Sequence, residues 1–143
     1  MLQLLVENRF PLIWMPSREQ RDVRSLILYR HQWVRIRTRV QNALQAIALS
    51  HGLRRGSSLW SGAGQHAIAS LSLTRYTAER RTALQSLYRH LEEQIEDLDR
   101  KVEELAWQRP QARRLMTHPG VGPITALATE TFLGDPILWA VLN

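Results

Sequence analysis

The chain has 143 residues, with 19 lysines and arginines against 13 aspartates and glutamates, and no cysteine. That length suits one domain, or a small domain with an extended helical part, and leaves little room for a large catalytic unit. Its formal charge of +6 rests on 18 arginines and the single lysine Lys101, which favours polyanions, nucleic acid ahead of anionic membrane, because guanidinium pairs with phosphate in a bidentate way; the lack of cysteine excludes a disulfide framework and a zinc ribbon. The opening MLQLLVENRFPLIW lacks a basic n-region and meets Glu7 and Arg9 too early for a signal peptide, and no apolar run reaches membrane-spanning length. A cytoplasmic protein with no membrane partner is expected.

The first predicted element is a helix over residues 18–50. Pro16 blocks helix on its N-terminal side, Ser17 with Gln20 fits a capping box, and Gly52 supplies a stop. At about 100° per residue, Val23, Leu26, Trp33, Val34, Val40 and Leu44 share one side, while Arg21, Arg24, Arg35 and Arg39 gather on the other. That basic ridge is a candidate phosphate contact, although a solvated face that only keeps the helix soluble accounts for any one of these arginines equally well. Arg30 and Arg37 lie within the apolar stripe. They must snorkel, pair with acids on a partner helix, or mark a helix contact that is not fully dry.

A loop-rich stretch over residues 52–76 follows, opened by GLRRGSSLWSGAGQH, with Arg54 and Arg55 as further candidate DNA contacts and a short helix predicted over 65–71. The next long helix is predicted from an N-cap at Thr77 to Gln108, ahead of Pro110. Leu84, Leu91, Leu98 and Leu105 recur every seven residues, with Leu87, Ile95 and Val102 beside them and Gln94 breaking a strict second seam. This heptad pattern fits a coiled coil or a long helical hairpin; packing within the chain and self-association between chains satisfy it equally. Glu92, Glu93, Glu96, Asp97, Asp99, Glu103 and Glu104 crowd the later half, which repels phosphate and makes this arm structural.

Near the end, LMTHPGVGPITALATE sets a tight connection between two helical runs, with Pro123 at a permitted first-turn position. Gly120 and Gly122 flank Val121, so backbone N–H groups can approach an anion at a helix N-terminus while Val121 packs inward. Ala126, one turn on, lets two short helices come close. The pattern resembles a helix-hairpin-helix element, which grips the DNA backbone without reading bases; a plain glycine-rich turn is the alternative.

Four segments taken in order, RFPLIWMPSREQRDVRSLILYRHQWVRIRTRVQNALQAIAL, GLRRGSSLW, RYTAERRTALQSL and LMTHPGVGPITALATETFLGDP, resemble the middle of insertion-sequence transposases of the IS-one-ten type, over roughly Leu2 to Pro136. The resemblance implies a DNA recombinase with an N-terminal Holliday-junction-resolvase-like domain bearing four metal-binding acids, a coiled-coil middle, and a C-terminal domain with a nucleophilic serine. It also implies oligomers, magnesium and, in some members, a structured guide RNA. On this pattern residues 1–17 correspond to the end of the N-terminal domain, 18–109 to the helical middle, 110–136 to the helix-hairpin-helix that opens the C-terminal domain, and 137–143 to a tail outside the pattern. The acid tetrad belongs upstream of LQLLVENRFP and the serine beyond FLGDP, so neither is expected in this chain.

The residues offer no replacement chemistry. Two-metal phosphoryl transfer needs carboxylates converging from several elements, and His31, His51, His66, His90 and His118 show no paired ligand spacing. Ser57 and Ser58 have no neighbouring base, and the tryptophans are expected to pack in the core or at interfaces. The expected fold is all-α: a long helix, a heptad-patterned arm and a terminal helix-hairpin-helix. The expected function is the DNA-binding and oligomerising part of a transposase, nucleoid-associated, contacting DNA through Arg21, Arg24, Arg35, Arg39, Arg54, Arg55, Gly120, Val121 and Gly122. Self-association is assigned to Leu84, Leu91, Leu98 and Leu105. No catalytic residue, metal site or cofactor is assigned to this chain; magnesium and the structured RNA belong to the intact family. The alternative is a non-catalytic helical interaction module that does not bind DNA.

Overall fold

The fold is that of a computed structural model, which describes residues 15–134; the expectations for residues 1–14, Trp14 among them, and for 135–143 lie outside the described residues. Every regular element described is helical: α1 (Arg18–Ser50), a 3-10 turn (Gly56–Trp60), α2 (Gly62–Ala69), α3 (Arg75–Gln108), α4 (Pro110–Met116) and α5 (Pro123–Leu133).

Helix α1 begins where its cap dictates. The Gln20 amide donates to Ser17 Oγ at 3.2 Å and the Ser17 amide to Gln20 Oε1 at 3.0 Å, a closed capping box. Helix α2 starts three residues before the expected 65–71 because Ser61 caps it, accepting from the Gly64 amide at 3.2 Å. Gly64 is held to glycine by close packing: a Cβ there would run into the carbonyl oxygens of Ser58 and Leu59. Helix α3 starts at Arg75 behind Thr74 rather than at Thr77, whose hydroxyl instead accepts from that of Thr74 at 3.1 Å. Arg81 then reaches back to the C-terminal end of α2, donating to the carbonyl of Ile68 in its last turn at 3.4 Å and to that of Leu71 just beyond it at 3.0 Å, where a cation suits the helix dipole.

Helices α1 and α3 lie antiparallel and pack along most of their length. At one pole, Val23 and Ile27 of α1 share a core with Val102 and Ala106 of α3, Ala112 of α4, and Ala126 and Leu127 of α5. At the other, Val40, Leu44 and Ala48 meet Tyr88 and Leu91, covered by Leu59 of the 3-10 turn and Ile68 of α2. Between the poles is a waist built of α1 and α3. There Arg30 pairs with Asp99, and Arg37 with Glu92 at 2.7 Å. The two pairs are seven residues apart on both helices, so one antiparallel register satisfies both. Arg30 and Arg37 occupy the same heptad column as the buried Val23 and Leu44. Of the three fates open to them, pairing with acids on a neighbouring helix is the one observed.

The heptad leucines are therefore used inside the chain. Leu91 and Leu98 are buried, with Leu84 and Leu105 half-buried beside them. In this fold that seam packs against α1. The second seam is Tyr88, Ile95 and Val102; Leu87, expected there, is 42% exposed because it falls one residue out of phase. Burial pushes the Tyr88 phenol above its usual range and the Glu92 carboxylate adds to that, with Gln41 and Arg37 opposing.

Candidate nucleic-acid interface

The turn between α4 and α5 follows from its residues. The Thr117 hydroxyl donates to the Arg114 carbonyl at 2.7 Å as α4 ends, and the Val121 amide donates to the His118 carbonyl at 3.2 Å. Gly120 sits at φ +83, a left-handed conformation suited to glycine. Gly122 stands at φ −85 as the N-cap of α5, with open space where a Cβ would be. The two glycines thus differ: one is required by the backbone, the other is not. Val121 is half-buried against the α5 pole, and Ala126, fully buried, provides the close approach read from the sequence. Among the described residues, the amides of Gly122, Ile124 and Thr125 meet no protein acceptor, as expected of an uncapped helix start, which carries partial positive charge.

On α1, Arg21, Arg35 and Arg39 are exposed, and none forms an ion pair among the described residues. They cover about 27 Å of the outer face at 1.5 Å per residue. Arg24 leaves this ridge. Its Nε donates to the Thr131 carbonyl at 2.8 Å and its guanidinium lies 5.2 Å from the Phe132 ring centroid, because α5 packs on the flank that an isolated helical wheel assigns to solvent. Arg54 and Arg55 are exposed ahead of the 3-10 turn, at the pole away from α4 and α5. The fold therefore does not gather the nine sequence-assigned DNA contacts into one patch.

Arg109 breaks the chain direction between α3 and α4 at φ −100, ψ 119. Its guanidinium bridges Glu130 of α5 at 3.3 Å and Glu19 of α1 at 3.2 Å, tying the break between α3 and α4 to α5 and to the start of α1. The acidic stretch of α3 is partly self-neutralised: Lys101 Nζ lies 2.7 Å from Asp97, and that hydrogen bond, helped by the charges of Lys101 and Arg100, holds the Asp97 carboxyl below its usual range.

Sequence reasoning missed Trp107, Arg113 and Arg114. Trp107 is 56% exposed rather than packed in a core. The signal was present in the heptad phase, since position 107 is two residues past the Leu105 seam position and so points outward. Among the described residues, no cluster of histidine, aspartate and glutamate is placed to hold a metal, and no helix is long and apolar enough to cross a membrane.

In sequence the chain is similar to the transposase for insertion sequence element IS1328 of Yersinia enterocolitica, 31% identical over 125 residues, which cover 83% of this chain and 36% of that protein. The chain thus spans about a third of the length of that relative. No family model and no solved structure matches it.

Proposed function

We propose that this chain is a DNA-binding and self-associating part of a transposase of the IS-one-ten type, without chemistry of its own. The observation that carries the reading is the contrast among the α1 arginines: Arg30 and Arg37 are consumed by ion pairs, whereas Arg21, Arg35 and Arg39 stand exposed and form no ion pair among the described residues. A row of unneutralised guanidinium groups on a rigid helix suits successive phosphates. The uncapped start of α5 adds N–H donors that suit a further phosphate, in the manner of a helix-hairpin-helix. Self-association uses surface other than the leucine seam; Leu28, Tyr29, Ile36 and Leu87 are the exposed apolar side chains along the waist and its flank.

Titration of duplex DNA over a salt series tests this. Changing Arg21, Arg35 and Arg39 to glutamine should lower the magnitude of the log-affinity against log-salt slope by up to about 0.9 per contact. Gly122→Ala should weaken binding without sequence dependence while leaving the fold intact, since its φ and surroundings accept a methyl group. An unaltered slope, or no duplex binding at physiological ionic strength, returns the chain to the helical interaction module.

A further inference from the structure

We infer that Trp107, with Arg113 and Arg114, forms a stacking site for an unpaired base of a single-stranded nucleic acid. The inference deepens the proposed function by naming the state of the strand, and it rests on that reading only for the class of partner. Three features converge. First, the indole is 56% exposed in the last turn of α3, where a large aromatic surface is left in water. Second, it lines a surface groove of about 450 Å3 with Pro110, Arg113, Arg114, Met116 and Thr117. Arg113 and Arg114 are exposed, neither forms an ion pair among the described residues, and no carboxylate lines that groove. Third, the break at Arg109 sets α4 beside the indole, and Arg109 there pairs with Glu19 and Glu130.

The charges favour nucleic acid over an apolar protein segment. Two guanidinium groups beside an aromatic plane match a base flanked by phosphates, and every base offers a π-face, so such stacking tolerates any sequence. Trp107 also borders a second groove, lined by Arg100, Glu103, Glu104 and Gln108. Its carboxylates repel phosphate and direct a strand to the α4 side. On the α4 side, Thr117 of the groove leads along the chain into the turn at Gly120, ahead of α5. DNA and RNA strands share this chemistry.

The test uses the full chain and fluorescein-labelled 15-mers of oligo-dT and oligo-rU, with a 15-base-pair duplex as reference. Trp107→Ala should weaken single-strand binding about tenfold or more. Trp107→Phe should retain most of it, and duplex affinity should not change. Replacing Arg113 and Arg114 by glutamine should reduce the single-strand salt slope by about 0.7 per contact. The tighter of the two oligonucleotides identifies the natural strand. Unchanged single-strand affinity in Trp107→Ala overturns the inference, and so does an equal loss on duplex and single strand. Loss of self-association by Trp107→Ala with strand binding intact overturns it too, and assigns the indole to a protein contact. Loss of duplex binding in the Arg21, Arg35 and Arg39 variant does not bear on this site, so the two readings fail separately.

Discussion

The poles and the waist of the α1–α3 pair use one heptad column in opposite ways. At the poles, where α5 or α2 covers the seam, the column holds Val23 and Leu44, 5% and 0% exposed. At the waist it holds Arg30 and Arg37, whose side chains keep 19% and 29% of their surface. A guanidinium is tolerated at a core position where one flank stays open, since its stem packs on apolar surface while its head reaches a carboxylate near water. Partly exposed pairs of this kind contribute little net stability, because desolvation offsets most of the attraction. The dry poles hold the fold together, and the waist pairs fix how the two helices are aligned.

The largest expected break is therefore at the poles. Leu44→Ala and Leu127→Ala, both fully buried, should each cost about 3–5 kcal/mol, against about 2 kcal/mol for Leu98→Ala at the waist, as the cost of a cavity depends on how far its walls can relax. Denaturant unfolding of the three variants measures the order; an equal cost at all three sites would erase the distinction. Next comes register. Asp99→Arg or Arg30→Asp alone should lose about 1 kcal/mol, and the double swap should recover most of it. A double-mutant cycle without recovery would show that the pairs do not align the helices. The smallest effect concerns Tyr88. With its folded pKa raised above 10.0, the unfolded chain loses this proton first, so stability is fully present below the unfolded value and is lost as pH rises through the folded one. Tyr88→Phe should flatten the decline in stability measured above about pH 10; a parallel decline in both proteins would mean that the phenol is not responsible.

How much was legible in the sequence depended on how local each signal is. The α1 boundaries were readable because Ser17 and Gln20 sit three residues apart and close their box without help from the rest of the chain. The start of α3 was displaced because Thr74 and Thr77 are both acceptable N-terminal residues, and the side chains alone do not rank them. Arg30 and Arg37 stood out as misfits in an apolar stripe, but their acids lie 69 and 55 residues away, and only the antiparallel alignment pairs them. The leucine heptad could not separate a partner within the chain from a second chain, since both cover the same stripe. Arg24 was misplaced because a wheel knows one helix and not the α5 that packs on its flank. At the candidate site, the turn was visible from its glycines, whereas the Trp107 groove needed the break at Arg109 to bring α4 alongside.

The bond from Arg24 to Thr131 spans 107 residues, and this sets an order of assembly. While the chain is being synthesised, the far half of α1 can close on the 3-10 turn, α2 and the start of α3 soon after those residues emerge. The near half, Val23 and Ile27, has its core partners Val102, Ala106, Ala112, Ala126 and Leu127 only when almost all the described chain has been made. Loop closure costs more entropy over the longer span. Until α5 arrives, the beginning of α1 is an exposed amphipathic helix, and the Arg24 latch is among the last contacts to form.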